Sequence, residues 1–430
     1  MRLATRLGPA ALAIGVLLGT VAGCGSGGSG SGKTEITFWD NNGGPARTPI
    51  YQELIRRFEA QNPDITVKYV GIPSASVQQK YDTAVAGGGA PDVGGITTSY
   101  LSDLVGQDAL EPLDDRLSGS ALNGKIVSGF LDTVKGTAPD KKLYELPATG
   151  NLDVLWYRTD LFEAAGLQPP TTWDAFFAAA DKLTDTAKKQ YGYTLRGGAG
   201  SIFQLFAEMY GYSNLPAFFD EAGKSTVDNA RNVELVQKVA ALFKKDTPSA
   251  DVGNGYPQMV AEFTAGNVAM MHHNLGSTGD VTKALGGKVA AVPLPTNGTV
   301  VPNPVDGFGV FKSSKHKDAA WKFAEFLVTA QSNSYWNEKV GQIPANTEVQ
   351  KESWIAGNKP VQAAIALIND PKTVFAAPPT YLPQYSAITK ADSEPMYQKV
   401  LLGQMSAQDF LTQLAGKLTA AQAQWTERHK

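Results

Sequence analysis

Two glycine-rich stretches near the amino terminus match motifs that bind phosphate. Gly27 to Thr34 reads GGSGSGKT, which fits G-x-x-x-x-G-K-[ST], and Gly25 to Gly30 fits G-x-G-x-x-G. Both motifs need a strand before the loop and a helix after it, because amides at a helix N-terminus hold the phosphate. Here an apolar leader precedes the glycines and a strand-like segment follows them. We interpret the matches as the composition of a Gly/Ser linker and predict no cofactor.

The chain has few of the side chains that metal or nucleophilic catalysis uses. It contains 4 histidines and 1 cysteine. His272 and His273 are adjacent in a predicted strand, where neighbouring side chains point to opposite faces, and only His316 and His429 remain elsewhere. Neither a G-x-S-x-G elbow nor an H-E-x-x-H pattern occurs. The sequence therefore predicts no metal site and no catalytic residue.

Length and charge limit the class of protein further. With 430 residues the chain is long enough for two or three domains, and 43% hydrophobic with 18% charged residues is typical of a globular protein. The formal net charge is −3, so there is no basic excess to neutralise phosphates. Nucleic acid is excluded as an expected partner.

The amino terminus has the pattern of a lipoprotein export signal. Arg2 and Arg6 precede an uncharged, apolar stretch that ends in Val21-Ala22-Gly23-Cys24, which resembles the bacterial lipobox. We predict a signal peptide over 1–23, a lipidated Cys24, and a Gly/Ser tether over 24–34. The mature protein would then be anchored to the outer face of the cell membrane. The alternative is an incidental thiol beside a signal peptidase site.

The segment after the tether alternates between strand and helix patterns. Strands are predicted at Ile36 to Trp39, Ile65 to Val70 and Val93 to Ile96, and helices at Thr48 to Ala60 and Ser74 to Ala86. This βαβαβ order is typical of a parallel sheet covered by helices.

The rest of the chain contains long helical segments between further strands. A capping box at Thr171 to Asp174 opens one helix, and another is predicted over Ser201 to Tyr210 with Gly211 as its end. Strands are predicted at Leu152 to Tyr157, Val268 to His273, Val289 to Leu294 and Phe308 to Lys312. We predict two α/β lobes, the first over 35–150 with part of 275–330 and the second over 151–430, with a ligand cleft between them.

Several segments in consistent order resemble the extracellular solute-binding proteins of bacterial ABC importers, family 1, the sugar-binding group. They are ITFWD (36–40), FEAQNPDITV (58–67), AGGGAPDV (86–93), LPATGNLDVLWYRTDL (146–161), FTAGNVAMM (263–271), GFGVFKSSKHKDAAWKFAEFL (307–327) and GQIPAN (341–346). The resemblance implies a fold of the type II periplasmic-binding-protein class, with each lobe a mostly parallel sheet flanked by helices. It also implies a monomer that closes on a mono- or oligosaccharide and delivers it to membrane permease subunits without any reaction.

Sugars present apolar C–H faces and rings of hydroxyls, so a site for them uses flat aromatic rings and paired hydrogen-bonding side chains. Loops at strand ends supply these groups. In the first lobe the resemblance and the strand ends indicate Trp39, Asp40, Asn41, Asn42, Thr97 and Ser99. The alternatives are core packing for Trp39, turn formation for Asp40 to Asn42 and helix capping for the hydroxyl residues.

Further candidates come from the rest of the chain. They are Asn151, Arg196, Gln204, His273, Asn274, Asp306, Gly307, Phe308 and Trp336, where core packing is the alternative for the aromatic residues. Because these candidates are mostly neutral or singly acidic, we expect an uncharged cargo rather than a polyamine, iron complex or phosphate ester. A secreted glycoside hydrolase that uses Asp40 and Asp306 remains an alternative function.

Overall fold

The computed structural model describes residues 32–428. The predicted signal peptide over 1–23, Cys24 and most of the tether lie outside these residues. Within 32–428 no helix is long and apolar enough to cross a membrane.

Strands and helices alternate along most of the described chain. The strands are β1 Thr34–Asp40, β2 Ile65–Gly71, β3 Val93–Thr97, β4 Leu146–Gly150, β5 Asp153–Arg158, β6 Tyr191–Thr194, β7 Val268–Asn274, β8 Val289–Pro293, β9 Thr299–Val300, β10 Asp306–Val310, β11 Ile343–Pro344 and β12 Val374–Phe375. The helices of the first half are α1 Thr48–Gln61, α2 Val77–Gly87, α3 Leu101–Gly106, α4 Asp114–Ser118, α5 Ser128–Gly136, α6 Thr159–Ala164, α7 Trp173–Lys182 and α8 Ser201–Ser213. Those of the second half are α9 Ala230–Leu242, α10 Tyr256–Thr264, α11 Thr278–Leu285, α12 Lys317–Val328, α13 Ala330–Val340, α14 Ser353–Gly357, α15 Lys359–Asn369, α16 Ser393–Leu401 and α17 Ala407–Arg428.

The first sheet has six strands in the order β11-β4-β10-β3-β1-β2. β1 pairs in parallel with both β2 and β3, which confirms the predicted βαβαβ unit. Alternate residues of β1 are buried, and the ring of Phe38 packs edge-on against Phe323 of α12 with 5.3 Å between the ring centroids. Helix packing on this face fixes which side chains of β1 remain available at its end.

Antiparallel pairing is more common than we predicted. β10 is antiparallel to β3 and β4, and β11 is antiparallel to β4. In the second sheet, with the order β6-β7-β5-β8, only β6 and β7 are parallel. The prediction of a mostly parallel sheet in each lobe is therefore wrong in this detail. The reason is that a strand returning from the other lobe has no helical crossover to impose a parallel direction.

The chain returns to the first sheet over a longer stretch than predicted. β10 and β11 both belong to that sheet, and α12 and α13 pack beside them. We predicted only part of 275–330 there and assigned everything beyond it to the second lobe. The difference arises because β11 is only two residues long, so no periodic pattern marks it as a strand.

Helix α8 also runs past its predicted end. It passes through Gly211 and ends at Ser213, and the capping residue Asn214 adopts a left-handed conformation with φ of 61°. A Cβ at Gly211 would lie 3.2 Å from the carbonyl oxygen of Pro295, so this glycine serves a close helix–loop approach rather than a helix end. The cap of α7 lies one residue after the first residue of the predicted capping box: the Thr172 hydroxyl accepts a hydrogen bond from the Ala175 amide at 3.2 Å.

Close packing of α7 on β6 predicts a sharp effect for one glycine. A Cβ at Gly192 in β6 would lie 1.9 Å from the carbonyl oxygen of Ala180 in α7. Gly192→Ala should lower the free energy of unfolding in urea by about 1–3 kcal/mol, because the backbone of α7 has to move. The matched control is Gly106→Ala in α3, where no atom lies within 4 Å and Ala favours the helix, so stability should not fall. Equal stability of the two variants would contradict this packing.

Candidate functional site

A cleft of about 490 Å³ is lined by residues from both sheets. On the first sheet, Asn41 and Asn42 follow β1, and Thr97 ends β3. Asp306 begins β10 and stands opposite Thr97 in the antiparallel register, so the start of β10 lies at the same edge as the end of β3. Ser99 also lines the cleft. The first wall thus presents amides, hydroxyls and one carboxyl group.

The opposite wall is built on the parallel pair β6 and β7. Parallel strands end at the same edge of a sheet, which brings the loop after β6, with Arg196, near Asn274 at the end of β7. A Cβ at Gly197 would lie 2.5 Å from the carbonyl oxygen of Asp251, and one at Gly198 would lie 2.4 Å from that of Gly253. The glycines therefore let this loop pack directly on the backbone of a neighbouring loop, which holds Arg196 at the cleft.

A third set of lining residues comes from the C-terminal part of the chain, which we did not predict. This set is Thr380, Tyr385, Ser386, Thr389, Lys390 and Glu394. Most of it lies on or beside a π-helical turn at Ala387–Asp392 that continues into α16. Such a turn has no characteristic spacing of apolar residues, so sequence patterns do not reveal it. Phe203 of α8, half-buried, adds an aromatic ring to the cleft.

Asp40 is turned away from the cleft and organises the loop that follows β1. Its side chain is 1% exposed. One carboxylate oxygen accepts a hydrogen bond from the Asn42 amide at 3.0 Å, and the other accepts one from the Tyr69 hydroxyl at 2.7 Å. Burial raises the pKa of Asp40, although these hydrogen bonds oppose the rise. The turn reading of Asp40 therefore fits the structure, and Asn41 and Asn42 are the side chains that the turn presents.

Four predicted residues pack in the core instead of lining the cleft. Trp39 is half-buried and packs against Tyr81 with 5.5 Å between the ring centroids and a tilt of 33° between the rings. Gln204 is buried on α8, where its side chain hydrogen-bonds Tyr193. Phe308 and Trp336 are 4% and 6% exposed and line a cavity of only about 20 Å³, which holds no more than a water molecule. The three aromatic side chains therefore follow the core-packing alternative, and the burial of Gln204 is a difference from the prediction.

Gly307 and Asn151 lie outside the cleft lining, and each has a role in the backbone structure. A Cβ at Gly307 would lie 2.2 Å from the carbonyl oxygen of Leu146, so glycine allows β10 to pair closely with β4. The side-chain oxygen of Asn151 accepts a hydrogen bond from the amide of Leu152 at 3.0 Å, at the connection between the two sheets. Neither residue lines the 490 Å³ cleft.

His272 and His273 point to opposite sides of β7, as strand geometry predicts. The ring of His273 stacks on Tyr256 with 4.5 Å between centroids, and its Nδ1 lies 3.2 Å from the Ser277 hydroxyl. Burial lowers the pKa of His273 to about 4, so its ring is neutral at pH 7. His273 does not line the cleft; its neighbour Asn274 does.

His272 is enclosed in the second lobe between two carboxylates. Its Nδ1 lies 2.7 Å from Glu208 and its Nε2 lies 3.2 Å from Asp153. Burial alone would lower the pKa of His272, but the two carboxylates outweigh it and raise the pKa to about 9. The ring is therefore a buried cation at neutral pH, and it joins β5, β7 and α8 in one ionic contact.

Arg47 and Asp306 set the electrostatics of the first wall. Burial raises the pKa of Asp306 to about 6, against the opposing charge of Arg47 and a hydrogen bond with Thr97. The Arg47 guanidinium lies over the Trp336 ring at 5.7 Å. Sequence reasoning missed Arg47. The signal was its position directly before α1, because a helix that follows β1 begins at the edge of the sheet where β1 ends. Across residues 32–428 no group of three or more His, Cys, Asp or Glu side chains is placed to hold a metal ion.

The family model of the bacterial extracellular solute-binding proteins matches residues 42–334. The chain belongs to this family. A mannitol-binding protein of Pseudomonas aeruginosa is 27% identical over 398 residues, which is 84% of this chain and 87% of that protein. The recognised family and the extracytoplasmic location of its members agree with the sequence prediction.

Solved structures of solute-binding proteins share the fold. One from Thermotoga lettingae, bound with α-D-tagatose, has a TM-score of 0.78 and 23% identity and covers 91% of this chain and 100% of that chain. Another, from Agrobacterium vitis with bound D-mannitol, has a TM-score of 0.71 and 27% identity over 91% of this chain and 99% of that chain. The predicted two-lobe α/β binding-protein fold is confirmed.

The buried His272 contact predicts a pH dependence of stability. The folded pKa of about 9 lies above the unfolded value of 6.5, so the stabilisation is complete below pH 6.5 and is lost as the pH rises towards 9. The difference in unfolding free energy between the wild type and His272→Gln should therefore shrink across this range in urea titrations. Asp251 also has a pKa raised to about 9, but it is present in both proteins and cancels in the difference.

The control for this experiment is His316→Gln, because His316 is exposed before α12. The unfolding free energies of His316→Gln and the wild type should be nearly equal, because this exposed substitution removes no buried contact. A difference between the wild type and His272→Gln that does not change with pH would show that His272 is not charged in the folded protein.

Proposed function

We propose that the protein is the carbohydrate-binding lipoprotein of an ABC importer, which captures a mono- or oligosaccharide outside the membrane and delivers it to permease subunits. The observation that supports this function best is the composition of the cleft. The half-buried ring of Phe203 lines the same cleft as amide and hydroxyl side chains such as Asn41, Thr97 and Asn274. Polar groups of this kind pair with sugar hydroxyls, and a flat ring packs on the C–H face of a sugar.

The relatives support a small polyhydroxylated cargo. The protein of Pseudomonas aeruginosa is described as mannitol-binding, and the Agrobacterium vitis structure contains D-mannitol; each is 27% identical to this chain. A polyol and a sugar share a chain of hydroxyl groups that an amide-rich cleft can pair. We therefore include hexitols beside hexoses and oligosaccharides in the proposed range of ligands.

Binding and closure are linked in this proposal. We assign 34–150 and 306–346 to the first lobe and 151–305 and 347–428 to the second, following the sheets to which the strands belong. The lining residues come from both lobes, so a ligand makes its full set of contacts only in the closed form. A ligand shifts the equilibrium between open and closed forms only through such differential contacts.

Thermal unfolding with a panel of hexoses, hexitols and oligosaccharides tests the proposal. A ligand at 100 times its Kd should stabilise the protein by about 2.7 kcal/mol. Phe203→Ala should weaken binding roughly tenfold, because the ligand loses its apolar contact. The matched control is Phe375→Ala in β12, which is 39% exposed and lies outside the cleft. No response to any saccharide would overturn the proposal.

The protein is proposed to bind its ligand without chemical change. Hydrolysis by a pair of carboxyl groups would require Asp40 beside Asp306, but Asp40 is buried and both of its oxygens accept hydrogen bonds. Chromatography of the bound oligosaccharide after prolonged incubation should therefore recover it intact. Shortened products would favour the hydrolase.

Membrane attachment is proposed to depend on Cys24, which precedes the described residues. Cys24→Ala should release the protein from the membrane fraction of cells into the soluble fraction, because the thioether-linked lipid can no longer form. Ser26→Ala, two residues away in the same tether, is the control and should remain with the membrane. Membrane retention of Cys24→Ala would show that lipid on this cysteine is not the anchor.

A further inference from the structure

Two arginines face the cleft from opposite lobes. Arg47 stands just before α1 on the first lobe, and Arg196 lies in the loop after β6 on the second. Both line the 490 Å³ cleft, and Lys390 from the C-terminal segment lines it as well. Two guanidinium groups on opposing walls of one cleft differ from the mostly neutral lining that the sequence predicted.

The loop holds Arg196 in place without using its terminal nitrogens. Its Nε donates a hydrogen bond to the carbonyl oxygen of Ala199 at 2.7 Å. Gly200, with φ of +83°, leaves room for the guanidinium, since a Cβ there would lie 2.1 Å from Nη2. Asp251 anchors the loop, because its carboxyl group accepts a hydrogen bond from the Leu195 amide at 2.6 Å. Among the described residues, neither terminal nitrogen of Arg196 has a hydrogen-bond partner.

Arg47 is supported in a similar way. The Trp336 ring lies beneath its guanidinium at 5.7 Å, which fixes the plane of the group without hydrogen bonds. Within residues 32–428 the side chain of Arg47 forms no hydrogen bond and no ion pair. Both carboxylate oxygens of the buried Asp40 accept hydrogen bonds from other groups. The donors of Arg47 are therefore available to a ligand.

The charges that line the cleft favour an anion. Arg47, Arg196 and Lys390 are opposed by Asp306 and Glu394. Glu394 already accepts a hydrogen bond from the Gly200 amide, and the pKa of Asp306 is raised to about 6 by burial. Both arginines also affect the pKa of one residue, Tyr256. Burial raises this pKa, and the positive charges of Arg47 and Arg196 lower it. A cationic cargo would meet three positive side chains here.

We propose that the cargo is a saccharide that carries an oxyanion, a carboxylate or a phosphate, bound between Arg47 and Arg196. This inference rests on the proposed function and specifies its ligand class. A guanidinium offers parallel N–H donors that match two oxygens of such a group. The remaining hydroxyls of the saccharide pair with the amides and with Asp306.

The same pair of charges explains how an anion would control closure. In the empty protein, closure brings two cations together, and their repulsion in a partly desolvated cleft opposes the closed form. An oxyanion between them converts this repulsion into two attractive contacts that exist only when both lobes meet. A neutral sugar leaves the repulsion in place, so it is disfavoured by the same device that favours the acid.

Isothermal titration calorimetry with matched ligands tests the inference. The probes are galactose, galacturonate, glucose, glucose 6-phosphate and mannitol. The preferred acidic saccharide should bind about 10- to 100-fold more tightly than its neutral counterpart, and this ratio should fall with added salt. Comparison of galacturonate with glucose 6-phosphate shows whether the site prefers a carboxylate or a phosphate.

Substitutions identify the groups responsible. Arg47→Gln and Arg196→Gln should each reduce the ratio of acidic to neutral affinity by about tenfold or more. Arg47→Lys keeps the charge but loses the paired N–H donors of the guanidinium, so it should reduce the ratio less. Arg56→Gln is the matched control: Arg56 lies on α1, is paired with Glu53 and stands outside the cleft, so the ratio should not change. Circular dichroism melts verify that each variant is folded.

The outcomes separate this inference from the proposed function. Equal affinities for neutral and acidic saccharides, or a preference that survives both glutamine variants, would overturn the inference and leave carbohydrate binding intact. Failure of every saccharide to bind would overturn both. Preference for either acidic probe, lost in the arginine variants, supports the inference.

Discussion

The site depends on one constraint of chain path: β10 must enter the first sheet between β3 and β4, antiparallel to both. That direction places the first residue of β10, Asp306, beside the last residue of β3, Thr97. Had β10 run parallel, its carboxyl end would lie at this edge and Asp306 would lie at the far one. The same return makes the backbone cross between the lobes, which is the connection that a closing binding protein requires.

Buried charges on either side of the cleft are compensated in different ways. On the first lobe, Asp40 relies on a tyrosine hydroxyl and a backbone amide. On the second, His272 balances Asp153 and Glu208 as a buried cation. Glu145, behind Asp306, has no hydrogen-bond partner within the described part of the chain, and burial raises its pKa well above the usual range. Each arrangement keeps its charge away from the ligand surface, and within residues 32–428 the cationic side chains that line the cleft are Arg47, Arg196 and Lys390.

The arginines connect recognition with motion. A cleft lined only by amides and hydroxyls distinguishes ligands by the pattern of their hydroxyl groups. Two guanidinium groups on opposite walls add an electrostatic free energy that depends on the distance between the lobes, because charge repulsion grows as the gap closes. Arg47 and Arg196 each rest on a rigid support, an indole ring and a glycine backbone respectively. The supports hold the donors ready and reduce the entropy that a ligand must overcome to order them.

The local patterns of the sequence determined the elements at the edge of the cleft: β1, β3, β7 and the turn residues after them were predicted close to where they lie. Short-range propensity and alternating burial suffice for this, because they act within a few neighbouring residues. Tertiary structure alone decided which of those side chains turn outward. Asp40 is drawn inward by Tyr69, Trp39 by Tyr81 and Trp336 by Tyr51, partners that lie far away in sequence. It likewise brought Arg47 and the segment around Lys390 into the cleft, because only the packing of whole lobes determines which distant loops share one wall.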